Sequence, residues 1–119
     1  MNDIWPTKLT LNRAERILSI GFGNGAHFDL SCEYLRTQSP SAEVQGHGSA
    51  QRITVGGKRA VAISAIEPIG NYAVRLVFDD GHQTGLYSWA YLWQLGTEHG
   101  TRWQNYLSEL AQKNLSRDA

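Results

Sequence analysis

Residues Ile66–Trp89, IEPIGNYAVRLVFDDGHQTGLYSW, decide the fold. The strand that leads into this stretch, Arg59–Glu67, is rich in Val, Ile and Ala, and Pro68-Ile69-Gly70-Asn71 turns it back. Tyr72–Phe78 is the most strand-like segment of the chain, and Asp79-Asp80-Gly81 turns it again into His82–Tyr87. Ser88 then stands as N-cap of a helix from Trp89 to Leu95, with Gly96 as its stop. The reading is strand, turn, strand, turn, strand, helix, and the remaining segments are arranged to cover one face of it.

Working outward toward the N-terminus, the same order appears a second time. Residues 1–6 read as a loose arm. Lys8–Asn12 alternates Leu9 and Leu11 with polar neighbours, and Arg16–Phe22 places Leu18, Ile20 and Phe22 on one face. Gly23-Asn24-Gly25 turns the chain into Ala26–Leu30. A two-residue loop would set Ile20 against Asp29, whereas a three-residue loop with Gly25 left-handed sets Ile20 against Phe28 and Leu18 against Leu30. The second register is preferred because a one-residue slip would move every apolar side chain to the wrong face. Ser31 caps a short helix, Cys32–Arg36, which buries Tyr34 and Leu35. Phe22-Gly-Asn-Gly25, Ser31 and Tyr34-Leu35 thus match Phe78-Asp-Asp-Gly81, Ser88 and Tyr91-Leu92, a weak internal repeat.

Residues 37–57 lack a clear pattern, and so long an irregular stretch in a compact domain is usually functional or mobile. Within it, Ser39-Pro40 begins a single helical turn and Ile53–Val55 forms a short edge strand. Past Gly96, Thr101 caps a final helix, Arg102–Asn114, with an apolar stripe of Trp103, Leu107, Leu110 and Ala111. The tail from Leu115 is expected to fray. The fold class is α+β: small antiparallel hairpins or a mixed sheet, short helices after the hairpins, and a C-terminal helix. The whole of residues 1–119 is expected to be one domain.

Composition narrows the function. Lys+Arg number 11 and Asp+Glu number 11, so no net positive charge drives generic binding to nucleic acid or to an anionic membrane. Cys32 is the single cysteine, which rules out an internal disulfide and a thiolate cluster for zinc. No apolar run approaches the ~20 residues that span a bilayer, and no secretion signal is evident, so a cytoplasmic location is expected.

The candidate binding residues are His47, His82, Arg36 and Arg75. His82 follows a turn bearing Asp79 and Asp80, which suits a metal ligand, a pH-sensitive group, or a strand-end histidine hydrogen-bonded to its own turn. The last of these is the expected role. His47 lies between Gly46 and Gly48, where the backbone can approach a partner closely. Arg36, Arg52, Lys58, Arg59 and Arg75, with Tyr72 and Tyr87, would suit an anionic ligand or a partner protein if they share one surface. The alternative is scattered solvated charge. Gly21-Phe22-Gly23-Asn24-Gly25 is no phosphate loop, because a strand rather than a helix follows it. No serine has the His-plus-carboxylate context of a nucleophile, and no His-x-Asp of an iron triad occurs, so no catalytic residue is assigned.

Two phrases, EYLRTQSPSAEVQGHG (Glu33–Gly48) and IEPIGNYAVRLVFDDGHQTGLYSWAYL (Ile66–Leu92), closely resemble the gamma-butyrobetaine hydroxylase-like N-terminal domain family. The resemblance covers about residues 6–96. It implies a small non-catalytic domain of a kind found alone, fused ahead of iron- and 2-oxoglutarate-dependent oxygenases, or appended to P-loop ATPases with iron–sulfur clusters. In the fused oxygenases a structural zinc is held by three cysteines and a histidine, and those positions fall here on Ser39, Ser41, Val44 and His82. The resemblance therefore implies no zinc bound in that manner and no resident cofactor. It implies instead a protein partner, in iron or iron–sulfur metabolism, engaged through residues 37–57 and the turn near His82. The alternative is a metal- or ligand-binding module, or an oxidoreductase-associated subunit completed by another chain, with iron or zinc on His47 and His82.

Overall fold

The computed structural model describes residues 5–40 and 54–118. Two antiparallel three-stranded sheets are each followed by a helix. The first sheet contains β1 (Pro6–Asn12), β2 (Ile17–Phe22) and β3 (His27–Ser31), and leads into α1 (Cys32–Thr37). The second contains β4 (Ile63–Ile69), β5 (Ala73–Phe78) and β6 (Leu86–Ser88), and leads into α2 (Trp89–Thr97). A last helix, α3 (His99–Gln112), follows directly. The architecture is α+β, as the alternation of the strands requires.

The two halves are built by the same local chemistry. In the first hairpin Phe22 N donates to Ala26 O and Gly25 N to Phe22 O; in the second Phe78 N donates to His82 O and Gly81 N to Phe78 O. Gly25 and Gly81 have φ of +91° and +93°, a left-handed conformation that costs an L side chain energy. Asn24 Oδ1 accepts from Ala26 N and Asp80 Oδ1 from His82 N, both at 3.0 Å. The three-residue loop fixes register as expected, with Leu18 opposite Leu30 and Ile20 opposite Phe28. Ser31 Oγ accepts from Tyr34 N, and Ser88 Oγ from Tyr91 N. Each cap satisfies an amide that the first helical turn leaves without a partner, worth about 1 kcal/mol.

The halves then lock onto each other reciprocally. Tyr34 Oη donates to Leu95 O at the end of α2, and Tyr91 Oη donates to Gln38 O just past α1. Leu95 O lies in the last turn of α2 and Gln38 O at the C-cap of α1, where carbonyls lack the intrahelical donors of a helix interior. Between the halves lies the core: Leu18, Ile20, Phe22 and Leu30 from the first sheet, Ile63, Leu76 and Phe78 from the second, and Leu35, Leu92 and Leu95 from the helices. Each buried side chain of this size contributes about 1.5–3 kcal/mol. Cys32 is part of this core, and burial pushes its thiol up, away from reactivity.

Several boundaries differ from the expectation, each for a physical reason. The strand expected at Arg59–Glu67 instead begins at Ile63 and runs through Pro68 to Ile69. Proline is tolerated there because β4 is an edge strand, so its missing N–H faces no neighbour. Gly70, at φ +55°, makes the turn. The strand expected at His82–Tyr87 shrinks to Leu86–Ser88. Thr54 and Val55 form no strand, because their groups are taken by α3: Tyr106 Oη donates to Val55 O and Thr54 Oγ1 to Glu109. The helical turn expected after Ser39-Pro40 would fall on positions outside the described residues.

Gly96 does not stop α2, which continues to Thr97, and Glu98 rather than Thr101 precedes α3. In that helix Tyr106 and Leu110 are buried while Ala111 is exposed, so the apolar stripe is rotated from the expected one. Tyr106 is the buried member that the sequence reading missed.

The tail does not fray at Leu115. Asn114 takes φ +55°, Leu115 N donates to Leu110 O and Asn114 N to Ala111 O, the paired bonds of a Schellman stop. Beyond it Gly57 N donates to Ser116 O and Arg59 N to Arg117 O. Arg117 closes on Glu33 of α1 with two bonds of 2.7 and 2.8 Å, and its guanidinium lies 5.2 Å from the Trp103 ring centre. Glu33 is only 5% exposed, so its carboxylate depends on this partner. Arg117→Ala is expected to cost about 2 kcal/mol in urea denaturation, because it strands a buried charge.

Candidate functional site

The densest polar cluster lies where the Asp79–Gly81 turn meets the end of α1. Asp80 Oδ2 accepts from Arg36 Nε at 2.8 Å and from Lys58 Nζ at 2.6 Å, while its Oδ1 takes the His82 amide. Burial pushes the Asp80 carboxyl up, but Lys58, the His82 amide and Arg36 together outweigh it and hold its pKa at about 2. Arg36 reaches this position because α1 is only six residues long and carries it in the last turn. Its Nη1 is buried and, among the described residues, has no hydrogen-bond partner.

Beside this ion cluster, Ser39 Oγ and His82 Nε2 lie 2.9 Å apart, with donor and acceptor set by the imidazole tautomer. Both residues are buried, Ser39 completely and His82 to 6% exposure. Gly85 makes the approach feasible: a Cβ there would stand 2.5 Å from Ser39 Oγ and 3.2 Å from the Tyr87 ring. Tyr87 is fully buried and donates to Leu35 O. Burial pushes its phenol well above the usual range.

The sequence-level candidates therefore separate. Arg36 and His82 converge on Asp80. Arg75 stands apart on β5, paired with Glu67 at 2.8 Å. Arg59 pairs with Asp118. Tyr87 is no stacking group, being inside the core, whereas Tyr72 is exposed. His47 and Arg52 lie outside the described residues. Trp93, partly buried, packs edge-on against Phe22 and Phe28. The Ser39–His82 bond joins residues 43 apart, and only the family resemblance signalled it, by mapping both onto one metal site.

Two of the four positions on which the family's zinc site falls, Ser39 and His82, are thus in contact; Ser41 and Val44 lie outside the described residues. A serine hydroxyl replaces a thiolate at Ser39, and a valine side chain offers no donor at Val44. These residues do not fit the family's zinc. Among the described residues no group of three His, Cys, Asp or Glu is placed to hold a metal ion, and no helix is long and apolar enough to cross a membrane.

A polar cleft of about 280 Å³ lies between the end of α1 and α3, lined by Gln38, Glu98, Thr101, Arg102, Asn105 and Glu109. Arg102 is committed within it, to Glu98 and Gln38 and over the Tyr91 ring. A second depression, of about 300 Å³, lies on the outer face of the first sheet over Lys8, Thr10, Ser19, Gly21 and His27.

A family model described as gamma-butyrobetaine hydroxylase-like, N-terminal, matches residues 9–93. A comparison with curated proteins gives no match. Among solved structures, one protein determined by NMR in solution is 43% identical with a TM-score of 0.85, over 98% of this chain and 92% of its own. Another NMR solution structure is 53% identical with a TM-score of 0.81, over 95% and 86%. A crystal structure from Acidithiobacillus ferrooxidans ATCC 23270, titled as a protein with unknown function of the DUF971 family, is 32% identical with a TM-score of 0.65, over 78% of this chain and 93% of its own.

Proposed function

The chain belongs to the gamma-butyrobetaine hydroxylase-like, N-terminal family, and from that premise we propose that it is a non-catalytic accessory domain that docks a protein partner. The docking surface is assigned to residues 37–57, of which 41–53 lie outside the described residues, and to the turn at His82. The observation that carries this reading is the use made of the reactive groups. The His82 imidazole is 6% exposed and bonded to Ser39, and Arg36 and Lys58 are both paired with Asp80. Groups able to do acid–base or ligand chemistry are spent on holding the turn to the end of α1. The bonds that tie the turn to the end of α1 suit recognition, because groups already held in place lose less conformational freedom on binding.

The partner belongs to iron or iron–sulfur metabolism; what supports this is the setting in which other family members are fused. A photoreactive residue at exposed Gln83, with one at exposed Gln104 on α3 as control, tests the surface. One discrete adduct from position 83, containing an iron- or cluster-handling protein, is expected. Equal labelling from both positions, or turnover by the isolated chain, would overturn the reading. Stoichiometric uptake of iron(II) or zinc, lost in His82→Ala, would favour a metal-binding module instead.

A further inference from the structure

The outer face of the first sheet carries a feature that neither the fold nor the docking surface uses. Its side chains stand in two rungs. Lys8, Gly21 and His27 pair across the sheet, and Thr10, Ser19 and Asp29 pair next to them. The middle of the first rung is glycine, so the face is dished there, leaving about 300 Å³ over exposed backbone.

Glycine is not demanded by the backbone at this place. Gly21 has no positive φ, and a Cβ on it would meet only Lys8 Cβ and Thr7 Oγ1, both at 3.8 Å, an ordinary contact. The second half of the molecule supplies an internal control. There Val77 holds the corresponding place on the middle strand, one residue before the hairpin Phe78 as Gly21 is one before Phe22. Glycine inside a strand weakens it, so the first sheet bears a cost that the second avoids.

The groups around the dish are arranged. Asp29 Oδ1 accepts from Ser19 Oγ at 2.6 Å and stands 2.9 Å from His27 Nε2. The Ser19 bond first, and His27 second, hold the Asp29 carboxyl below the usual carboxylate range. Asp29 accepts from Nε2 and so orients the ring; in the imidazolium both nitrogens carry protons, and Nδ1–H is then left to donate to another acceptor. On the far side of the gap Lys8 makes no hydrogen bond or ion pair among the described residues. Its column is two strand spacings from that of His27, roughly 9–10 Å, which is space for one small oxyanion between two nitrogen donors. This is no hydrolytic triad: the carboxylate, not the imidazole, lies next to the serine.

We propose that this dish binds the oxyanion, phosphate or carboxylate, of a small metabolite, with Lys8 and His27 as its charged and hydrogen-bonding arms and the Gly21 backbone as its floor. The site differs in chemistry from the His82 turn: an open gap with a lysine unpaired among the described residues instead of a largely buried cluster of paired charges.

Inorganic phosphate, sodium acetate and sodium chloride, each titrated to equal ionic strength, separate the sources by amide chemical-shift mapping. Phosphate or acetate is expected to shift the Ser19, Gly21 and His27 amides saturably, with a dissociation constant on the order of millimolar, as befits a fragment making few contacts. The anion that saturates identifies the headgroup. Chloride is expected to give only small, non-saturating shifts. Gly21→Val fills the dish with the residue the second half carries, and Lys8→Met removes the charge; each is expected to weaken binding at least tenfold. The melting temperature of Gly21→Val should not fall, which separates loss of the site from loss of the fold. Absence of any saturable response in the wild type, or binding unchanged in both variants, would overturn the proposal.

Discussion

Asp80→Ala is expected to cost about 3 kcal/mol and to lower the melting temperature by roughly 10 °C. The carboxylate accepts from Arg36, Lys58 and the His82 amide at once. Its removal leaves two cations facing each other near the protein interior, an amide without its acceptor, and an Arg36 whose Nη1 already lacks a partner among the described residues. The same group makes stability acid-sensitive. Its folded pKa, about 2, lies below the 3.8 of an unperturbed aspartate. A depressed pKa contributes stability that is fully present above about pH 4 and is lost as pH falls toward 2, because the unfolded chain takes up the proton first. With solvent screening at a partly exposed pair, the loss amounts to about 1–2 kcal/mol. Urea denaturation at pH 6, 4 and 2.5 should therefore show the wild type losing more stability than Asp80→Ala over the lower interval. Parallel losses would place the acid sensitivity elsewhere.

That cluster also marks the limit of what the sequence makes legible. Local signals resolve correctly: the Gly25 loop sets its register because only one choice keeps Leu18, Ile20 and Phe28 together, and Ser31 and Ser88 cap because a helix start needs a side-chain acceptor. Long-range partners are invisible to such reasoning. Nothing within a few residues of Glu33 announces Arg117, 84 positions away, and so the tail looks free when it is clamped. Lys58 reads as solvated charge until the fold brings it to Asp80. The repeat lies in between. Its offsets of 56 and 57 residues are countable in the sequence, from Phe22 to Phe78 and from Ser31 to Ser88. What they mean, an exchange of tyrosine hydroxyls between halves, needs the three-dimensional packing. Gly96 was misread for the same reason: glycine near a helix end suggests a stop locally, whereas its role is set by a ring from the other half.

That ring gives the second large effect. Gly96→Ala is expected to destabilise the protein by about 3 kcal/mol, at the upper end for one added methyl. A Cβ at position 96 would stand 2.5 Å from the Phe28 ring, a distance that requires α2 or β3 to move. Phe28 cannot swing aside cheaply, because it is wedged edge-on between Phe22 and Trp93, with ring centres 5.9 and 5.6 Å away. Better helix propensity would recover only about 1 kcal/mol of the loss. Were Gly96 present merely as a helix stop, alanine would be neutral or stabilising, so the sign of the change decides between the two roles. A double-mutant cycle sharpens the choice. Phe28→Ala alone loses packing, but in its presence Gly96→Ala should be nearly free, giving a coupling of about 2 kcal/mol. The corresponding positions in the other half are Gly85, one residue before β6, and Ser39, two residues past α1, and they too are in close contact. Each half thus keeps one glycine or small side chain where the other's helix end presses in. The pair of contacts holds the ends of α1 and α2 at the distance that the Tyr34 and Tyr91 hydroxyls require.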